Sequence, residues 1–214
     1  MISEQGSTLK EQVYDAIFSD IINGAYDIDI ILTEKFLMEK YGVSRAPIRE
    51  ALTQLTGAHI LVSIPRQGYK ILQPSEEELY EIIKFRSALE CSFLENYSMF
   101  INKDCIRELR KSCAEYSSCP AGDFMAHWHC NIQFHLKLFS MYGNHYAYRL
   151  LEEALNIQTI FFVQKKFGAT MDLHLAFVDY LERGDIKTAV SLLRADIDRL
   201  LVPATPPVPV EQTR

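Results

Sequence analysis

No apolar run in the 214-residue sequence approaches the roughly 20 residues that a bilayer-spanning helix requires. Met1–Gln12 has no apolar core of the kind a signal peptide carries. Both absences predict a soluble, cytoplasmic protein with no membrane partner. Cysteine is sparse. Cys91, Cys105, Cys113, Cys119 and Cys130 are odd in number and contain no CxxC pair. That argues against a disulfide framework or a cysteine metal centre and predicts reduced, mostly buried thiols. A global basic charge is also lacking: 22 Lys and Arg stand against 28 Asp and Glu, a net −6. Attraction to nucleic acid would therefore have to be local.

What is present is an ordinary globular composition, 48% hydrophobic and 23% charged, with room for one large domain or two small ones. The charge is unevenly spread. Glu34 to Lys70 holds six bases (Lys35, Lys40, Arg45, Arg49, Arg66, Lys70) against three acids (Glu34, Glu39, Glu50). Leu9, Val13, Ile17 and Ile21 recur at helical spacing and stop at Gly24, predicting a helix over 8–23. A second short helix is expected over 33–41, with Phe36 and Leu37 inward, and a third over 44–58, with Ile48, Ala51, Leu52 and Leu55 inward. Ile60–Ser63 and Gly68–Leu72 read as short strands joined by Ile64-Pro-Arg-Gln67. Three helices and a hairpin make a winged helix-turn-helix.

Within it, Gly42 can end one helix and Ser44 can cap the next with its hydroxyl, and Pro47 is tolerated in the first turn. Arg45 and Arg49 then share one face near the start of the third helix. That is how a recognition helix offers guanidiniums to a DNA major groove. Arg66, Gln67 and Gly68 form the wing tip, where glycine lets the backbone approach a sugar-phosphate chain. Base edges and phosphates are both open as targets of the two arginines.

Gln73-Pro74 is a boundary, and Ser75-Glu-Glu-Glu78 a capping box. From there the pattern stays helical, over about 76–100, 103–117, 121–140, 144–166, 170–183 and 186–201, with breaks at Asn102, Pro120, Gly143, Gly168 and Gly184. The chain is thus mainly α. Residues 1–73 form a winged helix-turn-helix, 74–202 an all-α bundle of about six helices, and 203–214 a proline-rich tail, extended or disordered.

His127, Asn131, Phe134, His135 and Leu138 share one face of their helix, and His174 and Asp196 sit in the apolar stripes of theirs. A carboxylate among apolar neighbours needs a partner. Two readings stay open. Asn131, His135, His174 and Asp196 gather around a divalent ion (Zn²⁺, Ni²⁺, Mn²⁺ or Fe²⁺), or they form a buried polar network without metal. His127 is an additional candidate ligand, and His129 is expected at the surface.

Val43-Ser-Arg-Ala-Pro-Ile-Arg-Glu-Ala-Leu52, together with Leu32-Thr-Glu34 and the Arg66-Gln-Gly68 wing, closely resembles the GntR family of bacterial transcription regulators. The resemblance implies that Arg45, Arg49 and Gly68 contact DNA. Thr53 departs from it where arginine is frequent, and His59 where a glycine usually follows the recognition helix. The helical part resembles the ligand-binding domain of the FadR subgroup, called FCD, through Arg86-Ser-Ala-Leu-Glu90, Asn144 and the 22-residue spacing from His174 to Asp196. Such domains often hold a metal with an Asp-x3-His pair and two later histidines. Here Asn131 replaces the carboxylate and Asp196 the last histidine. The resemblance further implies a small carboxylate effector in the same cavity, with Arg86 and Asn144 at its site. Arg86 is open to two readings, an anion clamp or a salt bridge to Glu90.

The expected function is therefore a ligand-responsive transcription regulator, binding an inverted-repeat operator in double-stranded DNA as a homodimer. Repression is the commoner outcome in the family. The alternative is a metal-dependent enzyme using His135, His174 and Asp196. Against it, no separate general base stands at clear spacing and the winged head would have no purpose.

Overall fold

The computed structural model describes residues 8–165 and 173–200. The proline-rich tail, the Gly168 break and the first residues of the helix expected from 170 lie outside the described residues. In order, the elements are α1 (Leu9–Ile22), α2 (Glu34–Tyr41), α3 (Arg45–Gly57), β1 (Leu61–Ile64), β2 (Gly68–Ile71), α4 (Glu76–Tyr97), a 3₁₀ turn (Ser98–Phe100), α5 (Lys103–Ser117), α6 (Phe124–Ser140), α7 (His145–Lys165), α8 (His174–Glu182) and α9 (Ile186–Asp198). They divide into two compact units. The first comprises the described residues to Gln73 and those of α7 from Leu155 on; the second comprises Pro74–Ala154 and the described residues from Leu173 on.

In the first unit α1 and α2 pack against α3, and Val13, Ile17, Leu37, Ile48, Leu52 and Leu55 form the core. Thr8 and Glu11 build a capping box at the start of α1, and Gly42 ends α2 in the left-handed conformation. One inward assignment fails: Phe36 is 38% exposed. Phe36 is one residue, about 100°, from the buried Leu37 and instead meets Tyr26 edge to face. A polar bridge links α1 to α2: Asp20 Oδ2 accepts from Tyr41 Oη at 2.7 Å and pairs with Lys40 Nζ at 2.8 Å. Burial opposes the charge on Asp20, yet Lys40 and Tyr41 hold its carboxyl below the usual range.

The hairpin pairs Leu61 with Ile71 and Ile64 with Gly68, antiparallel. Its first strand is displaced by one residue from the expected Ile60–Ser63. Leu32 adds a single bridge to β2 by exchanging two backbone hydrogen bonds with Tyr69. Sequence periodicity cannot register a single bridging residue of that kind.

Among the described residues the second unit holds α4, α5, α6, α7 as far as Ala154, α8 and α9, so parts of six helices contribute to it. The Ser75/Glu78 capping box opens α4, and Asn102 and Asp123 cap α5 and α6. α9 packs on α4 and α8, and α5 on α6 and α8. Phe134, Phe139, Phe177, Val178, Leu193 and Ile197 are buried. These pairings bring the polar residues of α4, α6, α8 and α9 into one interior.

Candidate functional site

α3 begins at Ser44, whose backbone is extended (φ −71°, ψ 169°) as an N-cap residue requires. Its hydroxyl makes no capping bond, contrary to the expectation from sequence. Pro47 is buried in the first turn, and Arg45 and Arg49 point outward. Both guanidiniums meet one carboxylate from the first turn of α2. Arg45 Nε lies 3.2 Å from Glu34 Oε2, and Arg49 Nε 2.9 Å from Glu34 Oε1. The arginine side chains stay 65% and 68% exposed. Glu34 thus sets the spacing of the two cations without covering them. Thr53, where the family often has arginine, turns its hydroxyl onto the Arg49 carbonyl.

At the wing tip, Gln67 N donates to Ile64 O, closing a turn with Pro65 and Arg66 in the middle. Arg66 takes φ 65°, a left-handed conformation rare for a residue with a Cβ. His59 does the same at φ 55°, as expected from its place after the recognition helix. Gly68 has an internal reason to be glycine. At its φ of +139° a Cβ would lie 2.5 Å from the Leu32 carbonyl oxygen. The bridge to Leu32 alone accounts for the residue, whatever the wing touches.

In the helical unit, His135, His174 and Asp196 are buried and present ligand-type atoms within 4.8 Å of one another. Asp196 Oδ2 lies 3.4 Å from His135 Nε2 and 3.3 Å from His174 Nε2. His174 stacks on Phe134, with ring centroids 3.9 Å apart, which fixes its plane. Asp196 Oδ1 meets Arg199 Nη2 at 3.0 Å and accepts from Leu173 N. Burial opposes the charge on Asp196, but the two imidazoles hold its carboxyl well below the usual range.

His135 Nδ1 is 2.6 Å from Glu90 Oε2. A carboxylate only accepts, so Nδ1 carries the hydrogen, and in the neutral ring Nε2 presents a lone pair toward Asp196. Neither His135 Nε2 nor Asp196 Oδ2 makes a hydrogen bond, although both are buried. Two buried electron-rich atoms facing each other call for a positive charge between them, which either a metal ion or a proton on the imidazole supplies. Imidazole nitrogen and carboxylate oxygen, with the second ring nitrogen oriented by an outer carboxylate, is the donor chemistry of a divalent transition-metal site. The donor set fits a metal.

Asn131 lies one turn before His135 on α6, buried, with its Nδ2 unpartnered. It lines an adjoining cavity of ≈ 10 Å³ with Tyr116, Phe124, His127 and Trp128. That is room for about one water, too little for a metabolite. His127 Nδ1 bonds the Asp123 carbonyl, and His129 is exposed, as expected.

Of the two readings of Arg86, the structure shows the ion pair: Nε and Nη2 lie 3.0 and 2.9 Å from Glu90 Oε1, fully buried. Burial works against the Glu90 charge, and His135 and Arg86 reverse that, holding its carboxyl below the usual range. Asn144 is exposed and accepts from Ala147 N, capping the start of α7. Glu34, Glu90's second oxygen and Arg199 were missed from sequence. Arg199 alone left a signal, as a base three residues after an acid that needed a partner.

Residues 9–71 match the family described as bacterial regulatory proteins, gntR family, and residues 81–199 match the FCD domain. The chain is 26% identical over 153 residues to the HTH-type transcriptional repressor GlaR of Escherichia coli K12, covering 67% of this chain and 68% of that protein. It is 32% identical over 84 residues to the probable D-xylose utilization operon transcriptional repressor of Paenarthrobacter nicotinovorans. That match spans 39% of this chain and little more than a third, 37%, of the relative. Solved structures share the fold. Escherichia coli McbR/YncC gives a TM-score of 0.75 at 18% identity, over 91% of this chain and 95% of that one. A putative transcriptional regulator GntR from Rhodococcus sp. RHA1 gives 0.70 at 18% identity, over 93% and 100%. These families are regulators, so the enzyme alternative falls away. A DNA-binding head matching one family model, followed by a helical domain matching the other, makes this chain a member of the GntR family of transcription regulators with an FCD domain.

Proposed function

We infer that the protein is a metabolite-responsive repressor that binds an inverted-repeat operator as a homodimer. The observation that carries this reading is the pair Arg45 and Arg49, exposed side by side at the start of α3 and spaced by one carboxylate. Ser44, Arg45 and Arg49 meet the major groove, and Arg66, Gln67 and Gly68 follow the adjoining backbone. One recognition helix reads a half-site, so two copies are needed for a full operator. Relatives named as repressors support the sign of the effect.

His135, His174 and Asp196 hold a divalent ion, with Asn131 next to them as a weaker oxygen donor. When bound, such an ion offers a positive anchor to a carboxylate effector. Arg86 acts from behind, fixing Glu90 and through it His135, and Asn144 acts by capping α7. Effector entry requires the cavity at Asn131 to open, and the open and closed forms differ in operator affinity.

The test is retardation of the protein's own upstream DNA at fixed salt, wild type against Arg45→Ala and Arg49→Ala. Loss of specific retardation with an unchanged circular-dichroism spectrum is the expected result. Unaltered operator affinity in both variants would overturn the reading.

A further inference from the structure

Cys119 and Cys130 are eleven residues apart and belong to different elements. Cys119 follows the last turn of α5, and Cys130 is in the first half of α6. Their sulfurs lie 3.3 Å apart. Both residues are half-buried, whereas Cys91 and Cys113 are buried. A disulfide bond is about 2.0 Å long, so bonding requires the sulfurs to approach by roughly 1.3 Å.

We propose that Cys119 and Cys130 are a modification site, forming a reversible intramolecular disulfide when a peroxide reaches them. Neither thiol takes part in the metal cluster or the DNA surface described above. Their contact closes the joint between α5 and α6, and the neighbouring residues are the walls of the small cavity. Asn131 follows Cys130 directly, and Tyr116 precedes Cys119 by three positions.

The two thiols have different tasks. Cys119 lies in the connection beyond the end of α5, whereas Cys130 is held within α6, so Cys119 is assigned as the sulfur that meets the peroxide. The Cys119 thiol gives up its proton and its sulfur attacks one peroxide oxygen: an S–O bond forms, the O–O bond breaks, and the departing hydroxide takes up that proton to become water. The Cys130 sulfur then attacks the sulfenic sulfur of Cys119: the S–S bond forms and the S–O bond breaks. The second hydroxide leaves with the Cys130 proton as water. Two electrons pass from the sulfurs to the peroxide, and a dithiol reductant returns them.

The crosslink ties the end of α5 to α6 and so holds the cavity wall shut. That consequence rests on the effector reading given above; the disulfide itself does not.

The experiment treats the reduced full-length protein with increasing hydrogen peroxide, alkylates the remaining thiols and maps the peptides without reduction. The expected product joins the Cys119 and Cys130 peptides, lighter by two hydrogens and restored by dithiothreitol, while Cys91 and Cys113 react with alkylator only after unfolding. In Cys130→Ser, dimedone captures a sulfenic acid at Cys119; in Cys119→Ser, Cys130 stays a thiol. Wild-type protein in which both thiols remain alkylatable, in which Cys119 goes on to sulfinic acid uncrosslinked, or in which either cysteine pairs with Cys105 or with another chain, overturns the proposal. The wild-type map decides the question even if a serine variant fails to fold.

Discussion

Glu34 divides its carboxylate between two arginines of the recognition helix, Oε2 facing Arg45 Nε and Oε1 facing Arg49 Nε. A guanidinium held at Nε keeps its terminal nitrogens in a fixed plane, which suits bidentate contact with a guanine edge. Glu34→Ala releases both side chains and removes one negative charge. Affinity for random DNA is expected to rise slightly, while preference for the operator falls by about tenfold, in line with the ~1–3 kcal/mol of discrimination carried by a bidentate contact. Competition binding of operator against scrambled duplex at constant salt measures both numbers. An unchanged ratio would mean that Glu34 has no part in positioning.

The three-ligand cluster makes a prediction about stability. After chelation and dialysis, added Zn²⁺, Ni²⁺ or Mn²⁺ raises the melting temperature, because a ligand of the folded state stabilises by mass action. The shift disappears in His174→Ala and in Asp196→Asn. Asn131→Asp restores a second carboxylate and tightens the metal dissociation constant by tenfold or so, about 1.4 kcal/mol. Elemental analysis and differential scanning fluorimetry give the readout. A melting temperature insensitive to all three ions in the wild type would remove the metal from the account.

Arg86 and Glu90 form a fully buried pair, and Glu90 also holds His135. Removing the cation alone strands a carboxylate in the interior. Arg86→Ala is expected to cost about 3–5 kcal/mol, the usual penalty for breaking a buried pair from one side. Glu90→Gln keeps a hydrogen bond to Arg86 but strands its buried positive charge, so a cost of similar size, about 3–5 kcal/mol, is expected, together with weaker metal binding because His135 loses its carboxylate partner. Urea unfolding of the two variants, followed by metal titration, separates the effects.

Two glycines of the winged head respond oppositely to alanine. At Gly68 a Cβ meets the Leu32 carbonyl and φ is +139°, so Gly68→Ala is expected to destabilise by ~1–3 kcal/mol. Gly57 ends α3 with nothing within 4 Å of its would-be Cβ. Gly57→Ala is expected to stabilise by about 0.4–1 kcal/mol, through the entropy of the unfolded chain. Thermal melts of both variants against wild type check the signs. A tolerated Gly68→Ala would show that the bridge to Leu32 is dispensable.

The sequence made the head legible because helix periodicity, Gly42, Pro47 and the strand pair all constrain the same short segment. The polar cluster was legible for a related reason: imidazoles and a carboxylate standing in apolar stripes have to meet in the interior. What stayed hidden depends on how separate helices pack. Glu90 lies 45 residues from His135, and no local pattern links them. The hydrophobicity of Phe36 suggests an inward side chain but says nothing of which way a short helix faces. Ser44 occupies the expected backbone position without making the expected bond, since a residue type fixes neither hydroxyl direction nor neighbour. Gly68 was read as a way of approaching DNA, but its own fold already requires it.

Arg66 stands in a conformation that glycine or asparagine would occupy at less cost, about 1–2 kcal/mol for a residue with an ordinary side chain. A chain optimised for thermostability alone would place glycine there. Keeping a guanidinium on so tight a turn gives up some folding free energy and leaves a positive charge exposed at the tip of the hairpin. On the proposed contact between wing and DNA backbone, Arg66→Gly would therefore strengthen the fold while weakening the regulator.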